Sequence, residues 1–179
     1  MSALRSFVLL LASATLLGGC WYSSSVSGGK DGTADMRKLD EAIAKTTPQQ
    51  ATAAMSNKTW RRVMGSGQAV HYSTSDGRDF LWIYGENRIF HGQWRVETGA
   101  DAKGQTVTRL CFRYPADAIN PLSNTPGAEW HCWSAGMVLH YVRERVDGDP
   151  LQLASRTQAP FPLDPRHQTL SQLQARIPR

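Results

Sequence analysis

The sequence predicts a mainly β fold, a small antiparallel β-sandwich or barrel-like meander of about seven strands with a short N-terminal helical segment. Two observations carry this prediction. After Trp60, short apolar runs are separated by turns rich in glycine and proline, with no helical pattern between them. The 179 residues also include 15 Gly, 9 Pro and 6 Trp, a composition more typical of short strands around an aromatic core than of a helical bundle.

The first 19 residues have the form of an export signal. Arg5 precedes an apolar run from Phe7 to Leu17, which is shorter than the roughly 20 residues that a membrane-spanning helix needs. The run ends in Leu17-Gly18-Gly19-Cys20, which resembles the bacterial lipobox. This resemblance implies that Cys20 becomes the acylated first residue of a lipoprotein. The alternative is an ordinary secretory signal that happens to end at a cysteine.

The expected location follows from that anchor. Each buried CH₂ of an acyl chain contributes about 0.8 kcal/mol to membrane attachment, so two or three chains give long-lived binding. Trp21 follows Cys20 in place of the Asp that commonly marks inner-membrane retention. We therefore expect a periplasm-facing protein, held by its acyl chains at the outer membrane in preference to the inner membrane.

A tether and a helical segment come next. Residues 20–34 are polar and rich in glycine and serine, which predicts a flexible tether. Residues 35–56 predict the helical segment, because apolar residues recur at helical spacing between Asp35 and Lys45. Thr47 is a candidate N-cap for a second helical stretch, with Pro48 at its first position.

The β domain is predicted over residues 57–156. Ser75-Asp76-Gly77-Arg78 is a strong hairpin turn, since glycine tolerates positive φ. Phe80 to Tyr84 is apolar on both faces, as a central strand would be. The predicted strands cover residues 69–74, 80–84, 89–97, 107–114, 130–134, 137–143 and 151–155.

The closing residues 157–179 are rich in proline and carry more basic than acidic residues. We expect an extended tail that lies on the surface of the domain. Leu170, Leu173 and Ile177 could form one weak helical face within it.

Cys111 and Cys132 remain once Cys20 is assigned to the anchor, and in an exported domain two cysteines most simply form a disulfide. The rival interpretation is a metal site built from both cysteines with His131 and His91. That set lacks the close Cys-x-x-Cys or His-x-x-x-His pairs of most zinc sites. We therefore expect no metal and no cofactor.

The sequence contains no recognised catalytic signature. Gly65-Ser66-Gly67 lacks the spacing of a nucleophile elbow, and Asp147-Gly148-Asp149 lacks the later positions of a calcium loop, so both predict turns. A hydrolase using His91 or His131 is the weakest hypothesis. The net charge of +5 comes without a basic stripe, which argues against nucleic-acid binding.

Aromatic residues offer a second hypothesis. Trp82, Tyr84 and Trp94 lie in adjacent predicted strands, and stacked aromatic rings bind sugars and other flat ligands. The same residues would equally serve as the core, because small β domains fill their interiors with Trp and Phe.

One set of motifs resembles known families. The motifs are Trp60, Tyr72 to Gly77, Leu81-Trp82, Gly92-Gln93-Trp94-Arg95-Val96, Leu110-Cys111-Phe112-Arg113-Tyr114 and Trp130-His131-Cys132. They resemble families of small bacterial periplasmic proteins, classed as domains of unknown function, that share a Gly-x-Trp strand, a Cys-Phe strand and a second Cys. The resemblance covers roughly residues 48–134 and implies a fold but no catalytic residues. The Gly-x-Trp motif is also similar to that of lipocalins. In lipocalins it belongs near the first strand, whereas here it lies in the middle of the chain.

These observations together predict a lipid-anchored envelope protein without enzymatic activity. Its β domain would present a surface to an unidentified envelope protein or cell-wall polymer. The alternative is a carrier or sensor of a small apolar or sugar ligand at Trp82, Tyr84 and Trp94.

Overall fold

A computed structural model describes residues 30–64, 67–120, 125–164 and 167–178. The predictions for the export signal, for Cys20 and for most of the tether fall on residues 1–29, outside the described part of the chain. Within that part, no helix combines the length and the apolar character needed to cross a bilayer.

The described chain contains four α-helices, nine strands and one short 3₁₀ helix. The α-helices are α1 (Lys30–Lys45), α2 (Pro48–Met55), α3 (Ala135–Tyr141) and α4 (Leu170–Arg176), and the 3₁₀ helix is Leu153–Ser155. The strands are β1 (Lys58–Met64), β2 (Gly67–Ser73), β3 (Arg78–Ile83), β4 (Ile89–Ala100), β5 (Thr106–Arg113), β6 (Ile119–Asn120), β7 (Thr125–Pro126), β8 (His131–Ser134) and β9 (Val142–Asp147).

Seven of these strands form one antiparallel sheet in the order β8-β5-β4-β3-β2-β1-β9, which curls into a half-barrel. Strands β1 to β5 follow one another as hairpins, and β8 and β9 return to pair with β5 and β1. Strands β6 and β7 pair separately. The prediction of a mainly β, seven-stranded antiparallel fold is confirmed, and of its two forms the sheet matches the barrel-like meander.

Two layers of core lie on opposite faces of this sheet, because successive side chains in a strand point to opposite sides. What we call the helical face is covered by α2 and α3, and its main cluster comprises Ala51, Met55, Trp60, Trp94, Leu110, Phe112, Ala135 and Val138. What we call the tail face is covered by the C-terminal residues, and its cluster comprises Val70, Phe80, Trp82, Ile89, Leu151, Leu153, Leu163, Leu170 and Leu173.

Within the helical segment, the start of helix α2 agrees with the prediction from the sequence. The Thr47 hydroxyl accepts from the Gln50 N–H, and the Gln50 side chain accepts from the Thr47 N–H, which forms a capping box. Helix α2 begins at Pro48 as predicted. Helix α1 begins at Lys30, earlier than the expected start at Asp35.

The prediction of a strand over residues 137–143 is wrong. Met137, Leu139 and Tyr141 alternate like a strand, but the chain forms helix α3 there and becomes a strand only at Val142. Helix α3 packs closely on α1, since a Cβ added to Gly136 would lie 2.1 Å from the carbonyl oxygen of Ala42. This close approach favours the helix over the local alternation.

The prediction of a strand over residues 151–155 is also wrong. The Asp149 carboxylate accepts from the backbone N–H groups of Leu153 and Ala154, at 2.8 and 2.9 Å. These bonds fix a 3₁₀ turn at Leu153–Ser155. Leu151 and Leu153 are nevertheless fully buried. The alternation of apolar residues therefore predicted their burial correctly but the backbone conformation incorrectly.

Strand β1 lies where no strand was predicted, and it has a central role. It pairs with β2 on one side and with β9 on the other. The segment contains the adjacent basic residues Arg61 and Arg62. Arg61 is nevertheless buried, because its Nε donates to a Glu144 carboxylate oxygen at 3.0 Å.

The C-terminal residues contribute to the core. Leu163, Leu170 and Leu173 are at most 3% exposed on the tail face. Helix α4 starts from a capping box at Thr169 and contains Leu170 and Leu173 of the proposed helical face. Ile177, its third member, lies just past the end of the helix and packs against the same cluster. This part of the chain therefore covers Trp82 instead of lying loosely on the surface.

Cys111 and Cys132 form a disulfide with a sequence separation of 21 residues. They are directly opposed on β5 and β8. On a chain-entropy estimate, closing such a loop stabilises the fold by about 3 kcal/mol.

Candidate functional site

A buried polar cluster lies on the helical face where strands β1, β2 and β3 meet. His71 and Ser73 occupy this face of β2, and Asp79 opposes Ser73 from β3. His71 is 2% exposed, and Ser73 and Asp79 are fully buried. Such groups are costly to bury unless they are hydrogen-bonded, so their partners decide what the cluster can do.

Asp79 is the centre of the cluster. One carboxylate oxygen, Oδ2, receives the Tyr114 hydroxyl at 2.6 Å and the His71 Nδ1 at 2.9 Å. The other oxygen, Oδ1, receives the Ser73 hydroxyl. The Ser73 oxygen in turn accepts from the Trp60 indole N–H at 2.9 Å. Three donors, two from β2 and one from the end of β5, therefore satisfy one buried carboxylate.

The position of Tyr114 depends on Gly92. A Cβ at residue 92 would lie 2.3 Å from the Tyr114 ring and 2.5 Å from the Arg113 carbonyl oxygen. Gly92 opposes Asp79 across strands β3 and β4, so the missing side chain leaves the space through which the Tyr114 hydroxyl reaches the carboxylate. The glycine of the Gly-x-Trp motif thus has a specific packing role here.

Asp79 also fixes the protonation pattern of His71. An ionised carboxylate only accepts hydrogen bonds, so the Nδ1 that faces it carries the proton. In the neutral ring, Nε2 is then an acceptor. Nε2 is buried, and no group in the described part of the chain bonds to it. The ring itself is held flat against the Trp60 indole, with centroids 3.8 Å apart and planes 5° apart.

His71 forms part of the wall of a pocket on the helical face. The cavity has a volume of about 40 Å³ and is partly open to solvent. Most of the lining is apolar and comes from Trp60, Leu81, Ile83, Phe90, Phe112 and Trp133, with Ala118, Ile119 and Gly127 from the loop before β8. The polar lining residues are Arg62, His71, Tyr114 and His131. The lining, apolar with a few convergent polar groups, has the character of a small-ligand site, and the cavity itself is smaller than the roughly 300 Å³ at which such sites usually begin.

Arg62 differs from most arginines of this sheet. Arg61 pairs with Glu144, and Arg95 and Arg109 both pair with Glu97. The Arg62 guanidinium makes no hydrogen bond or salt bridge to any residue that the structure describes, and its Nε is buried without a partner. Arg62 on β1 opposes Ala69 on β2, and His71 lies two residues further along β2 on the same face.

Burial shifts the pKa values of two residues that line the pocket, His71 and Tyr114. Burial lowers the pKa of the His71 imidazole below its ordinary 6.5, although Asp79 acts in the opposite direction, and the Arg62 cation lowers it further. Burial raises the pKa of the Tyr114 phenol well above 10.0, and the Asp79 charge adds to this. Near neutral pH His71 is therefore a neutral imidazole and Tyr114 a neutral phenol.

The lowered pKa of His71 predicts a loss of stability in acid. Between its folded pKa and the ordinary 6.5, the unfolded chain binds more protons, so stability falls as pH drops below about 6.5. Urea unfolding between about pH 5 and pH 8 should show this fall in the wild type and a smaller one in His71→Gln. The matched control is His167→Gln, at an exposed position. Equal pH dependence in wild type and His71→Gln would contradict the assignment.

The aromatic residues singled out from the sequence are not brought together. Trp82 is fully buried on the tail face, where its ring meets Phe161 at 5.0 Å. Trp94 is 6% exposed on the helical face, and its indole N–H donates to the Thr74 carbonyl oxygen. Tyr84 is 42% exposed beyond the end of β3. None of the three lines the pocket beside His71.

The other histidines are used differently. The Nε2 of His91 lies 2.7 Å from the Arg156 carbonyl oxygen, and that of His131 lies 3.0 Å from the Pro126 carbonyl oxygen. Each ring nitrogen therefore donates to the backbone. Cys111 and Cys132 lie close to Glu97, but their sulfur atoms are bonded to each other, so neither is a thiolate ligand.

No family model, no curated protein and no solved structure is significantly similar to this chain. The resemblance to periplasmic families of unknown function therefore stays a prediction.

The polar cluster at His71 was not predicted from the sequence, because Trp60 and Tyr114 join it from distant positions and strand register decides that Ser73 faces Asp79. One signal was present. His71 and Ser73 alternate with Val70 and Tyr72 in a strand, and Asp79 directly precedes an apolar run. Polar side chains spaced two apart in a strand that is buried on both faces indicate a paired internal cluster.

Proposed function

We propose that this protein is a lipid-anchored envelope protein whose β domain binds a small, mainly apolar ligand in the pocket beside His71. The observation that carries the proposal is the buried His71 Nε2, which has no partner among the described residues and stands in an otherwise apolar wall. A buried acceptor without a partner is unfavourable. A ligand that donates to Nε2 would relieve this cost.

The size of the pocket indicates how such a ligand would lie. A water molecule takes up about 30 Å³ of liquid volume, so a partly open cavity of about 40 Å³ accepts a small polar head group. The remainder of the ligand would rest on the surrounding apolar side chains. This arrangement supports a carrier or sensor more strongly than the partner-presenting role predicted from the sequence, and that role stays a prediction.

Ligand binding can be tested with the neutral dye N-phenylnaphthylamine, whose fluorescence rises in apolar surroundings. We expect wild-type protein to bind one dye molecule per chain. Ala118→Trp should abolish binding, because Ala118 is 5% exposed and lines the pocket. Ala116→Trp is the matched control, since Ala116 is exposed in the same loop.

Circular dichroism of each variant establishes that it is folded. A folded Ala118→Trp that binds dye as wild type does, or a wild type that binds none, would refute the ligand-binding role.

The lipid anchor is tested separately. Cys20→Ala removes the thiol that would receive the diacylglycerol, so the protein should move from the membrane fraction to the soluble periplasmic fraction. Cys20→Ala should leave dye binding unchanged. Persistence of this variant in the membrane fraction would contradict the anchor.

A further inference from the structure

The polar groups of the pocket define the chemistry of its ligand more closely, and this step rests on the ligand-binding function proposed above. Arg62 offers N–H donors, and His71 offers one acceptor, Nε2. Both residues line the pocket, and both have a buried nitrogen with no bond to any residue that the structure describes.

Asp79 does not neutralise Arg62 by direct contact. Its two oxygen atoms are occupied by the three donors Ser73, His71 and Tyr114, and Arg62 interacts with it only through space. A buried cation is stabilised when it is both paired and hydrogen-bonded. A planar guanidinium matches a carboxylate best, because two parallel N–H groups can bond both oxygens.

The Nε2 acceptor of His71 requires a second group on the ligand, one that donates a hydrogen bond. Arg62 and His71 lie on neighbouring strands of one face, with Arg62 opposite Ala69 and His71 opposite Trp60, and such diagonal neighbours are about 7–8 Å apart along the sheet. Because both side chains line one pocket, a ligand whose carboxylate binds Arg62 can present a second polar group to Nε2. A hydroxyl donates there without adding charge, whereas an ammonium would place a second cation beside the guanidinium.

We infer that the ligand is a hydroxycarboxylic acid with an apolar body, whose carboxylate binds Arg62 and whose hydroxyl donates to His71 Nε2. The body then lies at the mouth of the pocket against Ile119, which is 46% exposed, and Trp133.

Four matched compounds test this inference by displacement of N-phenylnaphthylamine. Phenyllactate carries the carboxylate and the hydroxyl, phenylpropanoate lacks the hydroxyl, phenylpropanol lacks the carboxylate, and phenylalanine carries an ammonium in place of the hydroxyl. We expect phenyllactate to bind tightest. Each of the other three should bind about tenfold more weakly or worse, the loss expected when one buried hydrogen bond is left unmade.

Arg62→Gln identifies the group that recognises the carboxylate. In this variant the preference for phenyllactate over phenylpropanol should disappear, whereas Arg143→Gln, at an exposed position of β9, should retain it. The inference is overturned if phenylpropanol or phenylalanine binds as tightly as phenyllactate, if Arg62→Gln keeps the preference, or if none of the four displaces the dye. In each of these cases dye binding that Ala118→Trp abolishes still supports the ligand-binding function, so the two proposals fail separately.

Discussion

Asp79→Ala should lower the free energy of unfolding by about 3–5 kcal/mol, the range for breaking a buried, hydrogen-bonded ionic group. The substitution leaves three donors, from Ser73, His71 and Tyr114, without their acceptor in the core. Each unsatisfied group costs about 1–3 kcal/mol. Chemical denaturation of the purified protein measures the loss directly.

The matched control is Asp147→Ala. The Asp147 side chain is 84% exposed and pairs with Lys58 on the surface, so its removal should cost less than about 1 kcal/mol. A double-mutant cycle with Tyr114→Phe adds a sharper check. The two substitutions should cost less together than the sum of their separate effects, because they remove both ends of one hydrogen bond. Equal destabilisation by Asp79→Ala and Asp147→Ala would show that the carboxylate is not the centre of the cluster.

Leu173→Ala should lower the free energy of unfolding by about 2–5 kcal/mol, as is usual for truncating a buried leucine. Leu173 is fully buried on the tail face together with Trp82 and Leu151. The effect should therefore equal that of a core position, although the residue lies only a few positions from the C-terminal end of the described chain.

Gln174→Ala is the control for this position, since Gln174 is exposed on the same helix and alanine is a good helix former. We expect it to change stability by less than about 0.5 kcal/mol. If Leu173→Ala were equally neutral, α4 would not be part of the core. The tryptophan fluorescence of the protein, to which Trp82 contributes from this face, should shift in Leu173→Ala and remain unchanged in Gln174→Ala.

The sequence was most informative where one residue type meets a strict local requirement. Gly77 has φ of 87° in the turn before β3, a conformation that few other residues adopt, so this hairpin could be predicted. Thr47 and Pro48 specified the start of α2 in the same way. The pairing of Cys111 with Cys132 followed from the small number of cysteines.

Elements stabilised by distant contacts could not be predicted. Helix α3 depends on the approach of Gly136 to the backbone of Ala42, which its own apolar alternation does not reveal. The cluster around Asp79 depends on strand register, since Ser73 and Gly92 face it from opposite sides only in the folded sheet. The sequence suggested a carrier that binds a small ligand at Trp82, Tyr84 and Trp94. The proposal keeps the small ligand but assigns its recognition to His71 and Arg62.

The most direct test of the pocket is native mass spectrometry of the full-length protein, released from its own membrane in mild detergent. Wild type and the exposed-site variant Ala116→Trp should each carry one small molecule per chain, and Ala118→Trp, with its pocket filled, should carry none. Bare chains in wild type and Ala116→Trp, or the same bound molecule in Ala118→Trp, would contradict a ligand site beside His71.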